Sequence, residues 1–100
     1  MSDNTKGLKN MKPVIVRTYS AGVHFGYLAH HEGREVRLER SRRIWSWAGA
    51  NTLSEIATSG LDVKNSRVAV PVTIVLTEAI EIIDCTPEAV ACLEAAIWRR

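Results

Sequence analysis

Two glycine-containing turn signals divide the first half of the chain into short runs rich in β-branched residues. Residues 20–22 separate the run 14–19 from the run 23–28, and residues 30–33 precede a third run, 35–39. Glycine tolerates the positive backbone angles of tight turns, and β-branched residues favour strands. The third run alternates polar and apolar residues, as a half-buried strand does. The pattern therefore predicts antiparallel strands joined by hairpin turns.

The third run continues towards a tryptophan-rich segment. We expect Ser41 to interrupt it and residues 42–47 to resume as a further extended stretch. The first half of the chain is then predicted to be a meander of four strands.

The second half carries two helix starts and two more strand-like runs. Thr52 and Glu55 form a capping box, Gly60 ends that helix, and Thr86 precedes Pro87 at a second helix start. Residues 68–76 are rich in valine, but Pro71 excludes them from the centre of a sheet. With a further strand predicted close to the second helix, we expect an α+β fold: a mainly antiparallel sheet of about six strands with two short helices, and an oligomer.

The composition is that of one soluble domain. Of the 100 residues, 46% are hydrophobic and 24% are charged, which are ordinary values. We predict that residues 1–12 are disordered and that residues 13–100 form the single compact domain. No apolar run reaches the ~18 residues of a membrane span. We therefore expect a cytoplasmic protein that does not bind membranes.

The side-chain chemistry argues against an enzyme. The sequence has no nucleophile motif, phosphate-binding loop, dinucleotide fingerprint or metal-ligand spacing, and two cysteines cannot supply a zinc site. We interpret His24, His30 and His31 as surface residues. A net charge of +2 gives little attraction to nucleic acid. We expect no catalysis, no cofactor and no metal, and nucleic acid is an unfavoured partner.

The segment 42–55 holds the densest candidate chemistry. Side chains alternate along a strand, so Arg43, Trp45 and Trp47 are predicted to share one face, with Arg42 on the other. An arginine beside two indoles can stack a base and neutralise a phosphate. The indoles can equally fill the core or a subunit interface.

Two further groups complete the predicted binding set. Asn51, Thr52 and Ser54 surround a helix start, where backbone amides can bind phosphate. Arg17 and Tyr19 precede the first turn, which is either a second binding turn or an ordinary hairpin tip.

Three blocks of the sequence carry a resemblance to known proteins. They are Val-Arg-Thr-Tyr-Ser-Ala-Gly-Val at 16–23, Arg-Arg-Ile-Trp-Ser-Trp-Ala-Gly-Ala-Asn-Thr-Leu-Ser-Glu at 42–55, and Leu-Thr-Glu-Ala-Ile-Glu-Ile-Ile-Asp-Cys-Thr at 76–86. Together they resemble a family of small, mostly uncharacterised phage and prophage proteins. By a weaker analogy, the chain is similar to phage sponges that counter Thoeris defence by sequestering cyclic ADP-ribose-type signals or cyclic oligonucleotides, in the cytoplasm of the infected bacterium.

The resemblance implies an anti-defence protein that binds a nucleotide-derived small molecule without altering it. In that hypothesis Arg42 and Arg43 neutralise phosphates, and Trp45 or Trp47 stacks on adenine. Two alternatives stay open: a phage accessory protein that acts through self-association or a host-protein interface, and a weak nucleic-acid binder that uses residues 34–43.

Overall fold

The computed structural model describes residues 10–96, which form the expected α+β fold of one six-stranded antiparallel sheet and two helices. In chain order the elements are β1 (Lys12–Thr18), β2 (Val23–Glu32), β3 (Glu35–Ser46), α1 (Leu53–Ser59), β4 (Arg67–Val68), β5 (Val72–Leu76), β6 (Ala79–Asp84) and α2 (Pro87–Ala95). Most of the segment predicted to be disordered lies outside the described residues. β1 begins at Lys12, the last residue of that segment.

The meander contains three strands and not four, because β3 is continuous through Ser41. The sheet order is β4-β3-β2-β1-β6, and β5 pairs with the first half of β3. The pairing of β3 with both neighbours shifts register close to Arg40, which has a φ of 48°. A bulge therefore takes up the extra residue where the sequence suggested an interruption.

The turn of the β2–β3 hairpin bends towards the start of β6. β5 and β6 are separated by only two residues, yet they pair with β3 and β1 respectively. The amide of Ala79, at the start of β6, donates to the carbonyl of Arg34 in the β2–β3 turn over 3.1 Å. Gly26 lies at the bend, where a Cβ atom would come within 3.1 Å of the Leu38 Cβ. Only glycine fits this close approach of two strands without displacing a neighbour.

The bent sheet has a hydrophobic core on each of its faces. One core packs Ile15, Phe25 and Ile44 of the sheet against residues of both helices, including Ile56 and Leu93. The other lies inside the fold of the sheet, with the following buried members: Val14, Val16, Val36, Leu38, Leu76 and Ala79. Burying one large aliphatic side chain stabilises a protein by roughly 1.5–3 kcal/mol.

Both helices begin at the residues that the sequence predicted, and α1 also ends at its predicted residue. The Thr52 hydroxyl accepts a hydrogen bond from the Glu55 amide over 3.2 Å, and Gly60 ends α1 with a φ of 86°. The Thr86 hydroxyl caps α2 in the same way, ahead of Pro87. Neither of these helices is long and apolar enough to cross a membrane.

Candidate functional site

The predicted alternation holds at the centre of the arginine–tryptophan segment. Arg42 and Ile44 are buried, whereas Arg43 and Trp45 point to solvent. Ile44 belongs to the core beneath the helices, which fixes which face of β3 is covered. Arg43 and Trp45 are consequently both exposed on the side of β3 that faces away from the helices.

Arg42 is used inside the protein and does not face a ligand. Its Nε donates to the carbonyl of Ala69 over 2.7 Å, and its Nη1 donates to the carbonyls of Leu93 and Glu94 over 2.9 and 3.2 Å. Nη2 lies 3.4 Å from the carbonyl of Val68. Burial lowers the pKa of this guanidinium. The prediction that Arg42 neutralises a phosphate is therefore wrong, because its donors already hold the end of α2 and the end of β4.

A polar network beside Arg42 fastens the same end of α2. The Glu94 carboxylate accepts from the Tyr27 hydroxyl over 2.6 Å and from the Arg40 guanidinium over 3.0 Å. Burial raises the pKa of Glu94, but these two hydrogen bonds together with the charges of Arg40 and Arg42 outweigh it, and the pKa is lowered. The sequence carried no signal for this network, since its members are 54 and 67 positions apart.

Trp45 forms the exposed centre of the candidate site. Its side chain is 59% exposed, and the guanidinium carbon of Arg67 lies 5.3 Å from the ring centroid. A cation over an indole face at this distance is attracted by the ring electrons. Arg67 reaches Trp45 because β4 pairs with the end of β3, with Arg67 opposite Ser46. Sequence reasoning missed Arg67, since only the strand register places it there.

Trp47 does not lie on the same face as Arg43 and Trp45. It is partly buried and packs against the core beneath the helices. The prediction that it shares the face of Trp45 is wrong, because β3 ends at Ser46 and the alternation of a strand does not continue beyond that point.

The start of α1 is occupied by its own side chains. The Glu55 carboxylate accepts a hydrogen bond from the backbone amide of Asn51 over 2.5 Å, and the Thr52 hydroxyl accepts one from the backbone amide of Glu55. Asn51, Thr52 and Ser54 are exposed. However, Glu55 places a negative charge where a bound phosphate would sit, so the geometry does not favour an anion at this seven-residue helix.

Arg17 and Tyr19 lie at the same end of the sheet as the arginine–tryptophan row. Val23 pairs with Arg17 on one side and with Ile44 on the other, so the first turn stands next to the end of β3. Tyr19 is 81% exposed. Arg17 is paired with Glu81 over 2.9 Å, which neutralises part of its charge.

His24 is buried below this end of the sheet, contrary to its interpretation as a surface residue. Its Nε2 lies 2.9 Å from the Ala21 carbonyl, which can only accept, so Nε2 carries the proton. Burial lowers the pKa of His24, and the charge of neighbouring Arg43 lowers it further. His30 and His31 are exposed as predicted. Within residues 10–96, no group of three or more His, Cys, Asp or Glu side chains is placed to hold a metal ion.

Comparison with known proteins identifies a family whose description gives no function. A family model described as "Domain of unknown function (DUF6948)" matches residues 11–93. No curated protein and no solved structure matches the chain.

Proposed function

This chain belongs to the DUF6948 family, whose description names no activity, and from its own geometry we propose that it is a binding module for a nucleotide-type ligand. The proposed surface consists of Arg43, Trp45 and Arg67, with Tyr19 at its margin. The ligand is bound and released unchanged.

The observation that carries the proposal is the exposed indole of Trp45 between two arginines. Arg67 lies over the ring, and Arg43 is exposed two positions before Trp45 on β3. The indole is exposed on 59% of its surface, so a ligand can reach the ring. A flat, anionic molecule matches both the ring and the flanking charges.

Each group has a distinct role in the proposed complex. Trp45 stacks on a base, a contact that contributes roughly 1–3 kcal/mol per base in proteins that bind single-stranded nucleic acid. Arg43 and Arg67 donate to phosphate oxygens, for which the planar guanidinium is well shaped. Arg42 and Trp47 support this surface from the core side and do not touch the ligand.

A more specific version of the proposal is that this protein is a phage anti-defence sponge. In that form the ligand is a cyclic ADP-ribose isomer or a cyclic oligonucleotide that serves as an immune signal, and the protein lowers its free concentration. The resemblance of the sequence blocks at 16–23, 42–55 and 76–86 supports this form. A trap of this kind needs affinity and no transition-state chemistry.

The test is to isolate what the protein carries. The protein is purified from cells that contain an active nucleotide-signalling defence, then heated, and the released fraction is analysed by mass spectrometry. We expect to recover an intact nucleotide signal, with about one molecule released per protein chain. Recovery of a hydrolysed signal would indicate an enzyme. An empty protein that also shows no melting shift with any of the candidate ligands would refute the binding proposal.

A second candidate function uses the same indole as a protein contact. Tryptophan is enriched in interface hot spots, and Trp45 is exposed enough to serve as one. In that case Trp45→Ala abolishes capture of a host protein while no nucleotide binds. Steep weakening of any oligonucleotide binding by salt would instead indicate a nucleic-acid binder.

A further inference from the structure

A buried histidine lies directly beside one arginine of the proposed site. His24 of β2 pairs with Arg43 of β3 on one side and with the uncharged Val16 of β1 on the other. Residues paired in this way across antiparallel strands share a face, and their Cβ atoms lie about 4.5–5.5 Å apart. His24 is 1% exposed, whereas Arg43 is exposed. One step across the strands therefore leads from the surface of the proposed site to a buried titratable ring.

The ring of His24 is neutral and has one nitrogen in use. Nε2 donates to the carbonyl of Ala21 over 2.9 Å, so Nδ1 is the nitrogen that takes up a second proton. Burial is the main reason that the pKa of this ring is lowered, and the positive charge of Arg43 lowers it further. Protonation of His24 is therefore sensitive to whatever neutralises Arg43.

Arg43 is the charged group that acts on the ring of His24. The other element packed against the ring is the turn 19–22, which carries the phenol of Tyr19, 81% exposed to water. The carboxylate of Glu78 is also held at this turn, where it accepts a hydrogen bond from a serine hydroxyl. Among the described residues, Arg43 is the one whose charge shifts the pKa of His24.

We propose that an anion bound at Arg43 and a proton bound at His24 favour each other, so that this surface holds its anionic ligand more tightly in mild acid. The anion neutralises the guanidinium that repels a charged imidazole, and it adds a negative charge near the ring. Because such coupling is reciprocal, the protonated ring strengthens binding of the anion by the same factor. The inference rests on the proposed function, since it uses the same Arg43, and it adds a regulation of that site by pH.

The direction of the pH dependence follows from the two forms of the ring. An anion on Arg43 raises the pKa of His24 from its lowered value. The gain in affinity is fully present below the pKa of the free protein, and it is lost as the pH rises through the higher pKa of the complex. Uptake of one proton changes the affinity by at most about tenfold per pH unit.

The first experiment follows the histidine ring signals of the whole chain by NMR from about pH 8 to about pH 5, with sulfate compared with chloride at equal ionic strength. Sulfate is the probe because its charge is constant over this range, whereas a phosphate monoester titrates at about pH 6. We expect sulfate to raise the titration midpoint of His24 by about half a pH unit or more in the wild type, and not in Arg43→Ala. A His24 midpoint that sulfate does not move in the wild type would overturn the proposal.

His30 and Arg37 provide a matched control in the same spectra. They also pair across β2 and β3, but both are exposed, and the charge of Arg37 is partly neutralised by Glu39 at 3.2 Å. Sulfate should therefore move the midpoint of His30 by clearly less than that of His24. Equal movement of the two midpoints would indicate general ionic screening and would also overturn the proposal.

The second experiment separates this inference from the proposed function. Calorimetry with cyclic dinucleotides, in two buffers of different ionisation enthalpy at about pH 6, measures the protons taken up on binding. We expect proton uptake in the wild type and its loss in His24→Gln. Nucleotide binding without proton uptake would overturn the inference and leave the proposed function standing. Absence of nucleotide binding, with the effect of sulfate on His24 intact, would count against the proposed function and leave the coupling of anion and proton standing.

Discussion

The Nη1 atom of Arg42 donates a hydrogen bond of 2.9 Å to the carbonyl oxygen of Leu93. This single contact joins the middle of β3 to the end of α2. Together with the bond from Nε to Ala69, it satisfies carbonyls that would otherwise be buried without a donor. The neighbouring Arg43 faces solvent, so two adjacent arginines serve two separate purposes.

We predict that Arg42→Ala destabilises the protein by about 3 kcal/mol or more, because several buried carbonyls lose their donor. Arg43→Ala is the matched control and should change stability by no more than about 0.5 kcal/mol. Urea unfolding followed by circular dichroism measures both. Equal losses in the two variants would contradict the assignment of Arg42 to the interior.

Ser41 is predicted to tolerate loss of its hydroxyl. Its Oγ is buried and has no hydrogen-bond partner among the described residues. Ser41→Ala should therefore leave the free energy of unfolding unchanged or raise it by up to about 1 kcal/mol. Thr18→Val is the contrasting variant, since the Thr18 hydroxyl donates to Gly22 and accepts from Ala21. It should cost about 1–3 kcal/mol, and a larger loss in Ser41→Ala would refute this account.

His24 should make the protein less stable in mild acid. Its folded pKa lies below the ordinary 6.5, mainly because burial disfavours the charged ring. The unfolded chain then binds more protons, so this stability is fully present above 6.5 and is lost as the pH falls towards the folded pKa. We expect unfolding in urea at about pH 7.5 and about pH 5.5 to show this loss. His24→Gln should reduce it and the exposed His30→Gln should not; the reverse order would contradict the assignment.

Gly60 is predicted to be intolerant of a side chain for two reasons. Its φ is 86°, and a Cβ atom would lie 2.6 Å from the Sγ of Cys92. Gly60→Ala should destabilise the protein by about 2 kcal/mol or more, from backbone strain plus the clash. Gly22→Ala shares the positive φ of 87° but meets nothing within 4 Å, so thermal unfolding should show a smaller loss. Equal losses would show that the contact with Cys92 does not matter.

The sequence predicted those parts of the fold that depend on neighbouring residues. The caps at Thr52 and Thr86, the end of α1 at Gly60 and the opposite faces of Arg42 and Arg43 follow from spacing alone. Pro71 correctly predicted that residues 68–76 lie away from the centre of the sheet, but the single run that the sequence suggested is divided there into β4 and β5.

The features of the structure that the sequence did not predict depend on contacts between segments that are distant in the chain. Arg42 finds its acceptors at Ala69 and Leu93, and Arg67 reaches Trp45 only through strand register. The fold of the β2–β3 hairpin arises from bulges, which shift pairing without changing the alternation that a sequence displays. The position of Trp47 could not be predicted because it depends on where β3 ends.

The most direct test of the proposed site is calorimetric titration with cyclic ADP-ribose isomers and cyclic di- and trinucleotides. We expect the wild-type protein to bind at least one of them, and Trp45→Ala to weaken that binding about 5- to 150-fold, the range that loss of one stacked base implies. Arg43→Ala should weaken it as well. Arg37→Ala, which removes an exposed arginine from the far end of the same strand, should bind like the wild type. Heat of binding that is unchanged in Trp45→Ala, or no heat with any of these ligands, would contradict the proposal.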